Sequence, residues 1–176
     1  MRSFFRIKCF FVLCACSALW AQIPNPAFFQ KKNQLSVSYG QSYRDRWEKL
    51  FIGGISYGQP NEFFRLPGRI NVEFLTAHGI GDMAQYKQDI IFGFAQDLIS
   101  PPIWRMYAGI NLGIYIKPKI TERINSRFTF GERAFLGYNI SENWGAELYW
   151  RHFSNGDLTD KNKGQNFIGL NGIWKF

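Results

Sequence analysis

Residues 104–116, WRMYAGINLGIYI, show the clearest two-residue alternation in the chain. Because successive side chains of a β-strand point to opposite faces, the stretch predicts a strand with one apolar face and one face of glycine and polar residues. The apolar positions are Trp104, Met106, Ala108, Ile110, Leu112, Ile114 and Ile116. The positions between them are Arg105, Tyr107, Gly109, Asn111, Gly113 and Tyr115.

The same period recurs in seven further stretches, several of which reach the ~9–11 residues of a tilted membrane-spanning strand. Strands of soluble proteins average ~5–6 residues. The second faces also carry Glu73, Arg105, Glu147 and Arg151, charges that a narrow soluble core tolerates poorly. We therefore predict an all-β fold, an eight-stranded antiparallel transmembrane β-barrel with its apolar face toward lipid. The seven stretches are residues 34–43, 50–58, 69–77, 88–97, 127–138, 144–154 and 165–176.

The start of the chain predicts export. Basic residues precede a short apolar run that ends near Ala21, as in a secretory signal peptide. We expect residues 1–21 to be the signal peptide and residues 22–176 to be the barrel. The sequence LCAC at 13–16 offers an alternative, because it resembles a lipoprotein cleavage site with Cys16 acylated.

The end of the chain points to the bacterial outer membrane. The last alternating stretch places Trp174 and Phe176 on one face and ends on the phenylalanine. This ending resembles the assembly signal of outer-membrane barrels, which implies the barrel-assembly machinery as a partner.

Composition limits the other partners. All three cysteines lie in the signal peptide, so the mature chain has neither a disulfide nor a cysteine-bearing metal site. Its charge is 18 basic minus 13 acidic residues, or +5, which favours anionic partners. An exported chain without a basic stripe is not expected to bind nucleic acid. His78 has no histidine or cysteine near it and is interpreted as a loop residue, and no metal or other cofactor is indicated.

Counting strands from a periplasmic N-terminus predicts external loops near residues 44–49, 78–87, 117–126 and 155–164. These loops carry nine of the 18 basic residues of the mature chain. Their charge is either simple solvation or a rim that attracts the phosphates of lipopolysaccharide. The basic residues are Arg44, Arg46, Lys49, Lys87, Lys117, Lys119, Arg123, Lys161 and Lys163.

A histidine and a serine stand at the outer end of the seventh stretch, in His-Phe-Ser-Asn at 152–155. His152 and Ser154 continue the apolar face of Leu148 and Trp150, so both are expected to point toward lipid. Polar side chains in that environment are costly unless they are used. The alternative is that both lie in the interfacial region, where polar residues cost little.

This motif, with Asn162-x-Gly164 and the terminal strand, resembles the lipid A 3-O-deacylase family, eight-stranded outer-membrane barrels related by name to the acyloxyacyl hydrolases. The resemblance implies an esterase that removes an acyl chain from lipid A of lipopolysaccharide. It implies Ser154 as nucleophile and His152 as base, since a serine needs a neighbouring base to take its proton. The groups that correspond to the family's oxyanion site and closing loop are Asn155, Gly156, Asn162 and Gly164.

The acid of the triad is where the sequence departs from the family. The family's acid lies about twelve residues after the serine, and that position is Asn166. Strand pairing is expected to set Asn166 opposite Ser154. Glu132, expected opposite Trp150 and diagonal to His152, is the second choice, and Asp157 and Asp160 are loop alternatives.

Two other functions stay open at this stage. The uncharged Asn166 favours a non-catalytic small outer-membrane barrel that acts in adhesion or envelope integrity. A soluble periplasmic β-barrel that binds an apolar ligand would reverse the two faces of every strand. The sequence is compatible with a homodimer and does not identify which acyl chain is removed.

Overall fold

The computed structural model describes residues 32–43, 49–63 and 66–176. The predicted signal peptide, Cys16, Arg44 and Arg46 lie outside these ranges. Within the described ranges, no helix is long and apolar enough to cross a bilayer.

Eight antiparallel strands form a closed barrel in which each strand pairs with its neighbours in the chain and β8 pairs with β1. The predicted all-β barrel is confirmed. A short 3-10 helix, Gly81–Tyr86, follows β3 inside a predicted loop. The strands are β1 Gln34–Ser42, β2 Lys49–Phe63, β3 Leu66–Ile80, β4 Gln88–Ile99, β5 Met106–Ile116, β6 Phe128–Asn139, β7 Trp144–Ser154 and β8 Gln165–Lys175.

Several predicted boundaries are wrong: β2 and β3 are longer than predicted, and β5 is shorter. The fifth strand begins at Met106, because Ile103 and Met106 exchange backbone hydrogen bonds in a tight turn. Trp104 has a φ of 59° and is 92% exposed in this turn. Arg105 is exposed and donates to the carbonyl of Ile140 instead of facing the interior.

The strand connections define two ends of the barrel. The turn end holds the connections at residues 64–65, 100–105 and 140–143, together with the start of β1 and the end of β8. The loop end holds those at residues 43–48, 81–87, 117–127 and 155–164. The four connections of the loop end are the ones that the sequence predicted to be external.

Apolar side chains cover the outside of the barrel wall, and charged side chains lie inside it. Leu112 and Leu170 are more than half exposed on the outer surface of the barrel wall, whereas Glu73, Asp97 and Glu147 are almost completely buried inside. A soluble barrel has the opposite arrangement. An outer surface of aliphatic and aromatic residues around a polar interior is what a membrane-spanning barrel requires.

Ion pairs and a cluster of buried apolar side chains share the interior. Asp97 and Glu147 lie between Arg69 and Arg133: Arg69 is 2.6 Å from Asp97 and 2.8 Å from Glu147, and Arg133 is 3.3 Å and 3.6 Å from the same two carboxylates. Nearer the loop end, Arg151 pairs with Glu73 at 2.8 Å. Three guanidinium groups therefore balance three carboxylates inside the barrel, and the tyrosine rings of Tyr107, Tyr115 and Tyr149 pack around them.

The strands are strongly inclined. Following paired residues from Ser42 through β8, β7, β6, β5, β4 and β3 leads to Pro60 on β2. Gly58 pairs with Gln34 of β1, and Pro60 lies two residues beyond Gly58. Pro60 is therefore level with position 32 on β1. One circuit therefore descends from position 42 to position 32, a shift of ten residues for eight strands. Such a barrel has strands tilted by ~35–45° from its axis.

Candidate active site

Three outward side chains form a row across β6, β7 and β8. Glu132 pairs with His152, and His152 pairs with Asn166. All three lie on the outer surface of the barrel, where they interrupt the apolar face near the loop end. The two-residue period predicted that His152 points outward, and His152 does point outward in the structure.

The imidazole of His152 is held by Asn166. Its Nδ1 lies 2.8 Å from the side-chain oxygen of Asn166. Because an amide oxygen can only accept, the shared proton sits on Nδ1 and leaves Nε2 with its lone pair. The ring of Trp150 lies nearly parallel to the imidazole, with centroids 6.1 Å apart and an interplanar angle of 12°. These contacts orient the ring as a general base requires.

The expected partners of Asn166 and Glu132 were both wrong by two residues. Asn166 lies opposite His152 and not opposite Ser154, and Glu132 lies opposite His152 and not opposite Trp150. A two-residue slip keeps the face of every side chain, so both groups stay on the outer surface. Directly paired residues on adjacent strands have Cβ atoms ~4.5–5.5 Å apart. Glu132 is therefore closer to the imidazole than the diagonal position predicted from the sequence.

Ser154 is the last residue of β7 and lies opposite Phe130. It shares the outer face with His152, two residues away. Its backbone carbonyl accepts a hydrogen bond from Thr129 Oγ1 at 2.6 Å, which fixes the end of the strand. Among the described residues, no hydrogen bond joins the Ser154 hydroxyl to the His152 ring.

Asn155 and Asn162 organise the loop that follows Ser154. The backbone N–H of Asn155 donates to the side-chain oxygen of Asn162 at 3.0 Å, and Asn162 donates to Asp157 at 3.0 Å. The side-chain amide of Asn155 is completely buried and donates to Thr159 Oγ1 and to the carbonyl of Lys161. The backbone N–H and the side-chain NH₂ group of Asn155 are thus both used within the loop.

The two glycines of the motif have positive φ angles and make close contacts. Gly156 has a φ of 63°, and a Cβ there would lie 2.8 Å from the ring of Phe130. Gly164 has a φ of 66°, and a Cβ there would lie 2.5 Å from Cε1 and 3.2 Å from Nε2 of His152. Gly164 is therefore the residue that lets the loop lie against the imidazole edge.

A contact between two loops was missed by the sequence analysis. The loop at 117–127 pairs with the loop at 155–164: Asn125 N–H donates to the carbonyl of Lys161, and Lys163 N–H donates to that of Arg123. No alternation marks these residues. Lys117 is buried at the base of the first loop and donates to two of its carbonyls. Burial lowers the pKa of the Lys117 ammonium to about 8, so the group that supports this loop loses its charge near pH 8.

The predicted absence of a metal site rests on composition. In the three described ranges, no group of three or more histidine, cysteine or acidic residues is placed to hold an ion. His78 lies on β3, where it pairs with Phe51, and not in a loop as predicted.

Known structures resemble this barrel. The crystal structure of the outer membrane enzyme PagL matches with a TM-score of 0.59 at 13% identity, over 81% of this chain and 99% of that one. The crystal structure of Neisserial surface protein A (NspA) matches with a TM-score of 0.52 at 13% identity, over 82% and 96%. At these identities the likeness shows the fold. Comparison with curated protein sequences finds no match.

The family assignment comes from the sequence. A model of the lipid A 3-O-deacylase (PagL) family matches residues 35–174, from the start of β1 to the end of β8. The match spans most of the chain and includes the row of Glu132, His152 and Asn166 and the loop that follows Ser154. This chain is an outer-membrane β-barrel and belongs to the lipid A 3-O-deacylase family.

Proposed function

We propose that the chain is a serine esterase that hydrolyses the 3-O-linked acyl ester of lipid A in the outer leaflet. The observation that carries this proposal is the hydrogen bond between His152 and Asn166 on the lipid-facing surface, two residues from Ser154. A soluble esterase has no reason to expose such a pair to lipid. A substrate that is itself a membrane lipid explains why the pair faces lipid.

The site also has the right height for this substrate. Ser154 ends β7 at the loop end, and Asn166 is the second residue of β8 at the same end. With the loop end outside the cell, the side chains lie at the boundary between head groups and acyl chains. The ester bonds of lipid A are found at that depth.

The chemistry assigns one role to each group. His152 Nε2 takes the proton of the Ser154 hydroxyl as its oxygen attacks the ester carbonyl, and the imidazolium returns that proton to the departing sugar oxygen. The acyl chain is then bonded to Ser154. Water, deprotonated by the same nitrogen, attacks the acyl-enzyme, and the fatty acid leaves as Ser154 regains its proton.

The oxyanion formed in each step needs backbone or amide donors. The backbone N–H and the side-chain NH₂ group of Asn155 are both engaged inside the loop, so we assign the donor role to the backbone N–H of Gly156. Asn155, with Asn162, holds this turn in place. Asn166 keeps the proton on Nδ1, and Glu132 supplies the negative charge that Asn166 lacks.

Ser154→Ala tests the proposal. Expressed in a Gram-negative host, the wild-type protein is expected to shift lipid A to the mass of a species that lacks one acyl chain, and Ser154→Ala is expected to abolish that shift. Ser42→Ala, at the same end of β1, is the matched control and should keep the activity. Loss of the acyl chain in the presence of Ser154→Ala would refute the assignment of the nucleophile.

The uncharged Asn166 favours one other function, a non-catalytic barrel for adhesion or envelope integrity. Intact lipid A, together with wild-type protein that is folded and heat-modifiable on a gel, would support it. Folding must be shown in the same cells, because an unfolded enzyme would also leave lipid A intact.

A further inference from the structure

Thr159 lies in the middle of the loop at 155–164, and its hydroxyl group makes two hydrogen bonds. The oxygen accepts from the side-chain amide of Asn155 at 2.5 Å, and the O–H donates to the backbone carbonyl of Asn125 at 2.9 Å. A hydroxyl has one proton to donate and lone pairs that accept, so both bonds can form at the same time. Thr159 therefore joins its own loop to the loop at 117–127.

The amide that Thr159 holds belongs to the residue that shapes the first turn of the loop. Asn155 is completely buried. Its side-chain oxygen accepts a hydrogen bond from the backbone N–H of Asp157 at 3.0 Å, and its backbone carbonyl accepts one from the N–H of Leu158 at 3.2 Å. Gly156, whose backbone N–H we assign to the oxyanion, lies inside this turn. The direction of that N–H therefore depends on how the Asn155 amide is held.

The other partner of Thr159 belongs to a loop that is anchored to the barrel. Ile124 is 1% exposed and is part of the buried apolar cluster. Lys117, also buried, donates to the carbonyls of Lys119 and Ile124. Asn125 follows Ile124 directly in the chain. The carbonyl that receives the Thr159 proton is therefore held by the packing of its neighbour.

Both bonds of the Asn155 side-chain amide lead to the backbone of Asn125. One bond goes to Thr159, which donates to the Asn125 carbonyl. The other goes to the carbonyl of Lys161 at 3.3 Å, and the N–H of Asn125 donates to the same carbonyl at 3.1 Å. The route through Thr159 has the shorter bonds. It is also the route that a change of side chain removes without altering Asn155 itself.

We propose that Thr159 is a positioning residue of the esterase site, which couples the turn that carries the oxyanion donor to the loop at 117–127. The inference rests on the proposed function and deepens it, because it makes the β5–β6 connection a part of the site. Thr159 acts through Asn155 on the backbone N–H of Gly156. The oxyanion develops in the transition state and is absent from the bound ester, so a misdirected donor lowers kcat and leaves KM unchanged.

Thr159→Val tests the coupling. Valine has nearly the shape of threonine and lacks the hydroxyl, so the Asn155 amide and the Asn125 carbonyl both lose this partner. With the purified protein in detergent, kcat for p-nitrophenyl laurate is expected to fall by about tenfold, with KM unchanged. Thr159→Ser keeps the hydroxyl and should restore most of the wild-type kcat. An unchanged kcat in Thr159→Val, a loss confined to KM, or an equal loss of kcat in Thr159→Ser would overturn the proposal.

Thr76→Val is the matched control. Thr76 is an exposed threonine of β3 and lies outside both loops. Its replacement should leave kcat and KM at the wild-type values. If Thr76→Val lost as much activity as Thr159→Val, the effect would not belong to the coupled loops and the proposal would fall.

Hydrogen–deuterium exchange separates the coupling from the chemistry, because it needs no substrate. In folded Thr159→Val, backbone amides of residues 155–158 and 117–127 are expected to exchange several fold faster than in the wild type or in Thr159→Ser. Faster exchange together with a wild type that hydrolyses no ester would retain the coupling of the loops and reject the esterase. Unchanged exchange in both loops would reject the coupling, whatever the activity of the wild type.

Discussion

Asn166 makes this site electrically different from a serine–histidine–acid triad. Its amide oxygen accepts the Nδ1 proton of His152 at 2.8 Å, which fixes the tautomer. An amide carries no charge, however, so it stabilises the imidazolium of the transition state less than a carboxylate does. Glu132 lies directly opposite His152 on the other neighbouring strand. In the proposed mechanism, orientation and charge, which one acidic residue usually supplies, are divided between two strands.

Asn166→Glu is expected to increase activity. The longer carboxylate takes the place of the amide on Nδ1 and adds a charge next to the imidazolium, which we expect to raise kcat by about tenfold. The measurement is the rate of hydrolysis of a p-nitrophenyl ester in detergent. Asn166→Gln, which has the same length without the charge, is the control. Equal rates for the Glu and Gln variants would show that the charge at this position is not limiting.

Glu132→Gln is expected to lower kcat several fold without changing KM, because it removes the charge opposite His152 and keeps the size of the side chain. Its effect should be smaller when Asn166→Glu is also present, since the imidazolium then has another carboxylate. A double-mutant cycle over the two positions measures this coupling. Additive effects would mean that Glu132 does not act on His152.

At the scale of the strand, the alternation of residues predicted which side chains face lipid but not which residues face one another. The outward direction of His152, Ser154, Glu132 and Asn166 follows from a period of two. Their pairing depends on where each hairpin turns, and an error of two positions leaves every face unchanged. The β7–β8 loop rests on the side-chain hydrogen bonds of Asn155 and Asn162, and the contact between the loops at 117–127 and 155–164 includes two backbone hydrogen bonds. Those bonds have no periodic signal in the sequence.

Gly164→Ala is expected to reduce activity strongly while the barrel still folds. A methyl group at a φ of 66° is strained, and it would lie 2.5 Å from the imidazole of His152, so the ring must move away from Asn166. Heat-modifiability on a gel checks the fold, and ester hydrolysis checks the site. Gly81→Ala, with a φ of 64° and open space around its Cβ position, is the control for backbone strain alone. Full activity of Gly164→Ala would show that the loop does not position the ring.

On the scale of the whole molecule, the interior and the surface of the barrel have separate roles. The interior holds three buried arginines and three buried carboxylates that pair with one another across the strands. The proposed catalytic groups lie on the outer surface, with the wall of the barrel between the two sets. The inward charges were visible in the sequence at Glu73, Glu147 and Arg151. Their pairing across non-adjacent strands was not, because it depends on closure of the barrel.

Glu147→Gln is therefore expected to destabilise the fold and to spare the chemistry. Glu147 lies against Arg69 and Arg133, and it accepts hydrogen bonds from Tyr107 and Asn171. Loss of its charge leaves an unbalanced guanidinium inside the barrel, at a cost of about 3–5 kcal/mol.

The test of Glu147→Gln compares two measurements. In urea unfolding from detergent micelles, the midpoint of Glu147→Gln should fall well below that of the wild type. The control Glu142→Gln changes an exposed carboxylate of the 140–143 turn, and its free energy of unfolding should stay within about 0.5 kcal/mol of the wild-type value. The fraction of Glu147→Gln that folds should hydrolyse esters at the rate of the wild type, because among the described residues no hydrogen bond or ion pair joins the interior charges to His152 or Ser154. A loss of activity in protein shown to be folded would mean that the interior network also sets the position of β7, and with it the active site.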